Sequence, residues 1–445
     1  MSEDLPASFF APGRPIALAR APGRLDVMGG VADYSGSVVL EAPLARATLC
    51  AAQQRGDRQV RLWSEGMERH GFAPRWEGEL GSLLIGPGES YAAVRGRLTA
   101  DPATAWVPYA AGVVTVLHAA GYLPRPSGLN LFLRSEVPLG GGVSSSASVE
   151  VATMAAIRGL FGLELSGLTM AQLCQRCENL VAGAPCGIMD QVTCALGEAG
   201  RLIAIRCRPC EVLGQWPLPE NAALFGINSG VKHSVGGSRY TRARVAAFMG
   251  LKLIRCLEGG APLEYLCDLD PTALRRCYSH LPARMEGKQF LAAYGETDDA
   301  VTRVDPAESY PVRGAVEHAV FENHRVQRFI ELLTTAEKDP RALEKAGRLM
   351  YASHWSYGHR IGLGARETNL IVSLARQAGP AAGIYGAKIT GGGSGGTVAL
   401  LAAPDARPTV EAIAAEYARS IGRMPEILEG TSPGAIASGV QTVVL

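Results

Sequence analysis

A chain of 445 residues that is 47% apolar and 19% charged holds enough apolar material for two or three cores at about 100–200 residues per domain, which excludes disorder as its main state. Its 43 basic and 42 acidic side chains nearly cancel, for a formal net charge of +1, and this excludes a whole-chain electrostatic footprint for nucleic acid or anionic membranes. Met1 to Pro15 carry early acids and no basic stretch leading into an apolar core, and apolar runs such as Tyr109 to Leu117 fall well short of the roughly 20 residues of a spanning helix, so a cytoplasmic chain without membrane or nucleic-acid partners is expected.

Along the chain, extended apolar runs alternate with helical periodicity, the pattern of a mixed α and β protein. Ile16–Ala19 and Val38–Leu40 read as short strands flanking a glycine-rich bend, and Leu129, Leu131 and Leu133 alternate as a half-buried strand that ends at Pro138. Beyond Gly142 the period changes: Val149, Met154 and Ile157 among alanines predict a helix, with Ser144, Ser145 and Ser146 offering hydroxyls to its first turn. Thr169-x-x-Gln172 reads as the capping box of a second helix that carries Leu173, Cys177 and Glu178 to a turn at Gly183-Ala184-Pro185. Residues 256–311 are polar and proline-containing, which reads as an irregular insertion or lid. Ile384–Thr390 and Thr397–Ala402 read as strands joined by a GGGSGG loop, with a helix following from about Pro408 to Ile421. The boundary is weakly signalled; placed near residue 215, it divides the chain into 1–215 and 216–445.

Ten cysteines are scattered over the chain, as expected of reduced thiols. Cys174/Cys177 and Cys207/Cys210 have the pairwise spacing of zinc ligands, yet 29 residues separate the pairs, more than the about 15–20 of a zinc ribbon. Met170, Leu173, Cys174 and Cys177 share one helical face, so a core role is preferred to metal. His233, His318 and His324 have no metal partners at helpful spacing.

The segment Pro138-Leu-Gly-Gly-Gly-Val-Ser-Ser-Ser-Ala147 stands between a strand and a helix. Its glycines allow backbone N–H groups to approach an oxyanion, and the helix start adds free donors and partial positive charge, so it reads as a phosphate cradle; a plain glycine turn is the alternative. Gly287-Lys288 lacks the earlier glycine and the following hydroxyl of a P-loop, and Gly391, Gly393 and Gly396 precede a strand where a dinucleotide fold needs a helix.

Ala21-Pro-Gly-Arg-Leu-Asp-Val-Met-Gly-Gly-Val-Ala-Asp-Tyr34, the PLGGGVSSSA run and Thr390-Gly-Gly-Gly-Ser-Gly-Gly396 resemble, in order, the three motifs of the GHMP small-molecule kinases. Gly183-Ala-Pro-Cys-Gly-Ile-Met-Asp-Gln191 and the stretch from Asn228 to Tyr240 resemble the sugar-kinase branch, with wording nearest the kinase part of L-arabinokinase-like members and next galactokinase-like ones. The resemblance implies an α+β, two-domain fold: an N-terminal α/β domain, a C-terminal ferredoxin-like domain, and an active site in the cleft between them.

It also implies roles. Gly140, Gly141, Gly142, Ser144, Ser145 and Ser146 would hold the phosphates of ATP, and Ser146 (or Ser145) with Glu178 would ligate Mg2+; an ordinary exposed helix acid is the alternative for Glu178. Asp190 matches the catalytic aspartate and Arg24 the arginine facing it: the carboxylate takes a hydroxyl proton while the guanidinium keeps it ionised, unless the two form only a structural pair. Asp33 and Tyr240 match sugar-binding positions, and Trp106 with Tyr109 resembles aromatics near adenine, although Tyr240 and Trp106 also suit plain packing. Galactokinase-like sequences carry Glu-His where this chain has Gly30 and Val31, and use them to reach the exocyclic hydroxymethyl group of the sugar. The implied activity is ATP-dependent 1-phosphorylation of L-arabinose. D-galactose is the alternative substrate, and a non-catalytic sugar- and ATP-binding regulator, disfavoured by the intact Ser146-Ala147, the third reading.

Overall fold

The computed structural model describes residues 5–231, 238–257, 263–339 and 341–445. In chain order its strands are β1 (Pro15–Met28), β2 (Val38–Gln54), β3 (Gln59–Ser64), β4 (Arg75–Glu79), β5 (Leu129–Ser135), β6 (Arg201–Arg206), β7 (Glu211–Pro217), β8 (Ala223–Asn228), β9 (Met285–Glu286), β10 (Ser309–Tyr310), β11 (Ile384–Ile389), β12 (Thr397–Ala402), β13 (Glu426–Glu429) and β14 (Val440–Val444). One sheet runs in the order β14-β1-β2-β5-β3-β4, with β6 on the first part of β2 and β7 outside it; β3 and β5 run parallel, the other pairs antiparallel.

β1 and β2 run well beyond the short stretches expected of them. The structure carries the strands through Pro22-Gly23 and Pro43: the β1–β2 register shifts between Pro22 and Arg24 and again between Asp26 and Met28, and β-bulges of this kind bend a strand and re-aim its side chains. Helices Val107–Ala119, Ser145–Phe161, Gly167–Arg176 and Met189–Leu196 cover one face of the sheet, and their buried side chains form a core with Leu131, Leu133 and Ile203. Cys174 and Cys177 are part of that core.

The Gly167–Arg176 helix is capped by Ser166, which accepts the Thr169 N–H. It therefore starts before the expected capping box, because Ser166 supplies the cap and Gly167 the first helical residue. A π-helical turn, Cys177–Ala182, extends it to a left-handed Gly183.

The second sheet, β11-β12-β8-β13, is antiparallel and covered by helices Arg366–Ala378 and Arg407–Ile421, with Ile371, Val410 and Tyr417 in its core. A third core joins helices Ser238–Cys256 and Val312–Thr335 to the intervening segment. Within 256–311 the expected irregularity gives way to helices Pro271–Cys277 and Gly287–Tyr294 and the β9–β10 pair. Asp270 caps the first of these by accepting two N–H groups, and Leu274 and Phe290 anchor the segment in the third core. The chain leaves the first sheet after Pro217 and returns to it as β14. Among the described residues no helix is long and apolar enough to cross a membrane.

Candidate active site

The Pro22-Gly23 bulge frees the edge of β1, and Arg24 N–H donates to Val143 O at 3.1 Å. A Cβ on Gly23 would stand 2.7 Å from that same oxygen, so glycine is what lets the first motif close on the second. The Arg24 side chain, 2% exposed, is then fixed at three points. It donates from Nε to Asp190 Oδ1 at 2.8 Å and from NH1 to Gly142 O at 2.8 Å, and Nε lies 3.3 Å from Glu41 Oε2. Burial works against this guanidinium, but Asp190, Glu41 and Asp26 outweigh it and hold the proton more tightly than in water.

Between β5 and the Ser145–Phe161 helix, Gly140 and Gly142 adopt φ 70° and Ser144 a left-handed φ of 62°. The turn is pinned from behind: Gly141 O accepts from Thr397 Oγ1 at 2.8 Å. No side-chain cap occupies the first turn of the helix, and the Ser144 hydroxyl is buried without a protein partner. The helix therefore presents its uncompensated donors outward, the arrangement that binds phosphate.

Glu178 is buried at 2% exposure, which removes the exposed-acid alternative. The π-turn places its carboxylate against the Ser146 hydroxyl and within 2.6 Å of Gln191 Nε2. Burial first and Asp190 second push it up to about 7. Asp33, in the short helical turn Gly30–Ser35 after β1, is likewise pushed up to about 7 by burial and by Asp190, while Arg244 opposes the shift. Gly187 makes room for it, since a Cβ there would overlap the Asp33 carboxylate.

These groups converge on one cavity of 620 Å³, whose lining includes Arg24, Val31, Asp33, Gly140, Gly142, Ser144, Ser145, Ser146, Trp106, Glu178, Asp190 and Tyr240. Two expected site residues are not on its wall. Gly30 faces inward, its N–H bonded to Asp26 Oδ1 and its α-carbon against the Tyr357 hydroxyl; Gly141 backs onto β12. Trp106 borders the cavity edge while its indole N–H is committed to Ala73 O at 2.8 Å, so only the ring is available to a ligand. Tyr240 is packed edge-to-face with Tyr34. His318 is buried beside Ser356 and driven down to about 3 by burial, His324 is exposed, and His233 lies outside the described residues.

Several contributors carry no local signal in the sequence. The end of β3, the short helix Met67–His70 and the turn after it bring Ser64, Met67 and Phe72 to the cavity beside Trp106. Asp26 on β1 and Lys388 on β11 form a fully buried pair at 2.6 Å, and Asp26 also accepts the N–H of Gly391. Arg244 holds Asp299 of the 256–311 segment through two bonds of 2.8 and 2.9 Å and donates to Cys186 O. Each of these partners is distant in sequence, so only the "Asp-Val-Met-Gly-Gly" wording around Asp26 hinted at any of them.

Family models describe three parts of the chain: GHMP kinases N terminal domain at residues 108–198, GHMP kinases C terminal at 329–419, and the galactokinase galactose-binding signature at 7–54. The L-arabinokinase of Arabidopsis thaliana is 38% identical over 94% of this chain, which spans 46% of that protein's length. The galactokinase of Chloroflexus aurantiacus is 31% identical over 95% of this chain and 93% of its own. Lactococcus lactis galactokinase, solved in complex with galactose, shares the fold at a TM-score of 0.76 and 22% identity over 99% of this chain and 97% of its own, and a mevalonate kinase structure does so at 0.57 and 14% over 93% and 99%. With a galactokinase 31% identical over 95% of this chain and 93% of its own length, and with both family domains flanking the cavity that gathers the three glycine-rich motifs, the chain belongs to the GHMP kinase family, in its sugar-kinase branch.

Proposed function

We propose that the protein is an ATP-dependent sugar 1-kinase that converts L-arabinose to L-arabinose 1-phosphate and ADP. The observation that carries the choice of sugar is the loop after β1. At the two places where galactokinase-like sequences carry Glu-His, Val31 lines the cavity and Gly30 is sealed behind it by Tyr357. Neither has a polar side chain to offer an exocyclic hydroxymethyl. L-arabinopyranose presents the ring-hydroxyl pattern of galactose without that carbon, and the higher identity to the Arabidopsis L-arabinokinase than to the galactokinases supports the same reading.

Phosphoryl transfer requires positioning, charge neutralisation and a nucleophilic hydroxyl. In this reading Asp33 and Tyr240 hold the ring, and Asp190 accepts the proton of the anomeric hydroxyl. The sugar oxygen then bonds to the γ-phosphorus while the bond to the β-phosphate oxygen breaks and ADP leaves. Arg24 orients Asp190 through Oδ1 and lies beside the second motif, where charge develops. The N–H groups around Gly140 and Gly142 and the first helical turn receive the phosphates. Ser146 and Glu178 form an all-oxygen donor pair already in contact, which suits a hard dication; when bound, Mg2+ neutralises phosphate charge.

The test is ADP release with L-arabinose and D-galactose in parallel, the product identified by phosphorus NMR. An unsatisfied galactose hydroxyl costs about 1–3 kcal/mol, and apolar pockets reject an added hydroxyl by roughly 100-fold. A weak galactose rate beneath a strong arabinose rate is expected. A galactose kcat/KM equal to or above that for L-arabinose overturns the choice of sugar, and sugar binding without ADP release overturns the kinase.

A further inference from the structure

The first and third motifs meet at a side chain that belongs to neither. Tyr357, on helix Ala342–His359, is fully buried, and its hydroxyl accepts the Val31 N–H at 3.0 Å and donates to Gly391 O at 3.0 Å. Its ring is fixed in turn: His318 packs edge-to-face at 5.1 Å, and Lys388 Nζ lies 5.4 Å from the ring centre. The same hydroxyl stands where a side chain on residue 30 would begin. A Cβ built on Gly30 overlaps Oη, meets Cζ at 2.9 Å and Asp26 Oδ2 at 2.7 Å, and would have to sit on a backbone at φ 45°.

We infer that Tyr357 is a positioning residue that sets sugar specificity. It occupies the space of a side chain at position 30 and holds the backbone of Val31, so that an apolar group faces the sugar in the cavity wall. The inference rests on the sugar-kinase reading of the cavity. It does not depend on which sugar is preferred, because the coupling it asserts is between residues 30 and 357.

Three consequences follow physically. Tyr357→Phe keeps the ring and removes both hydrogen bonds to the loops, so the sugar KM should rise by about three- to tenfold with kcat and the KM for ATP changed much less. Freed from its anchor, the loop should discriminate less, and the ratio of kcat/KM between the two sugars should move toward unity. Gly30→Ala should be severe in the unsubstituted protein and less so in the Tyr357→Phe background, because the hydroxyl it overlaps most closely is gone there while Cζ, Asp26 Oδ2 and the backbone at φ 45° remain; residues in direct contact show such non-additivity.

The experiment is a double-mutant cycle of Gly30→Ala and Tyr357→Phe on the full chain. Steady-state kinetics with L-arabinose and D-galactose are read beside thermal unfolding midpoints. Expected are a sugar KM effect of Gly30→Ala at least fivefold smaller in the Tyr357→Phe background and a shifted sugar ratio in Tyr357→Phe alone. Additive effects of the two substitutions, or an unchanged sugar KM and sugar ratio in Tyr357→Phe, overturn the inference. If Gly30→Ala does not fold, Tyr357→Phe alone decides, and recovery of folding in the double variant counts in favour. A preference for galactose in the unsubstituted protein would refute the arabinose reading while leaving this cycle to be read on galactose.

Discussion

Asp190 and Asp33 face the same cavity with different surroundings, and each leads to a distinct measurement. Asp190 is clamped by Arg24 through Oδ1 and is assigned the proton of the attacking hydroxyl. Asp190→Asn keeps the shape and removes the base, so kcat should fall by about 100- to 10,000-fold with ATP binding, followed by calorimetry, nearly intact; a variant retaining half its activity places the base elsewhere. Asp33 is held protonated up to about 7, by burial foremost and then by Asp190. The unfolded chain releases that proton near pH 4, so the native state binds more protons between about pH 4 and 7, and stability falls there as pH rises, by up to about 1.4 kcal/mol per pH unit. The contribution is complete below pH 4 and lost above 7. Urea unfolding at pH 5, 6, 7 and 8 should show a shallower decline for Asp33→Asn than for the unsubstituted protein, and equal slopes would contradict the assignment.

The Ser145–Phe161 helix is where local sequence and function part company. Three serines at its start read as caps, yet Ser144 takes a left-handed backbone and its hydroxyl caps nothing. A non-glycine residue in that conformation costs on the order of 1 kcal/mol. Ser144→Gly should therefore raise stability by about that amount, seen as a higher unfolding midpoint. Because the buried hydroxyl lines the cavity, the KM for ATP should rise by about three- to tenfold. An unchanged KM for ATP with the expected stabilisation would leave Ser144 without a ligand role. The π-turn at Cys177–Ala182 is a second departure from regular geometry, and it brings Glu178 onto Ser146.

Across the whole molecule the two sheets are tied at Asp26 and Lys388, one on β1 and one on β11. Asp26 also accepts from Gly30 and Gly391, and its own N–H reaches Thr390 Oγ1 at 2.8 Å, so this one carboxylate sets the spacing of the first and third motifs. Lys388→Met leaves it buried and unpaired, which should cost about 3–5 kcal/mol in chemical denaturation. Adding Asp26→Leu should recover part of that stability without recovering sugar turnover, because the loops have lost their common anchor. Recovery of both would reduce the pair to an ordinary structural contact.

Motif order, the glycine-rich turns and the helix after Gly142 were legible from residue type alone, because glycine conformation, helix periodicity and the wording of a family motif are local properties. From them the α+β kinase fold and the residues that now share one cavity followed: Arg24, Asp33, Ser146, Glu178, Asp190 and Tyr240. Tertiary structure decided the rest. The length of β1 through Pro22-Gly23, the return of β14 to the first sheet, and the docking of 256–311 through Asp299 onto Arg244 depend on partners tens to hundreds of residues away. So does the inward turn of Gly30, which the Tyr357 hydroxyl and the Asp26 carboxylate explain together. Propensity and spacing are set by neighbours along the chain, whereas bulges, buried ion pairs and the space left for a missing side chain are set by neighbours across it.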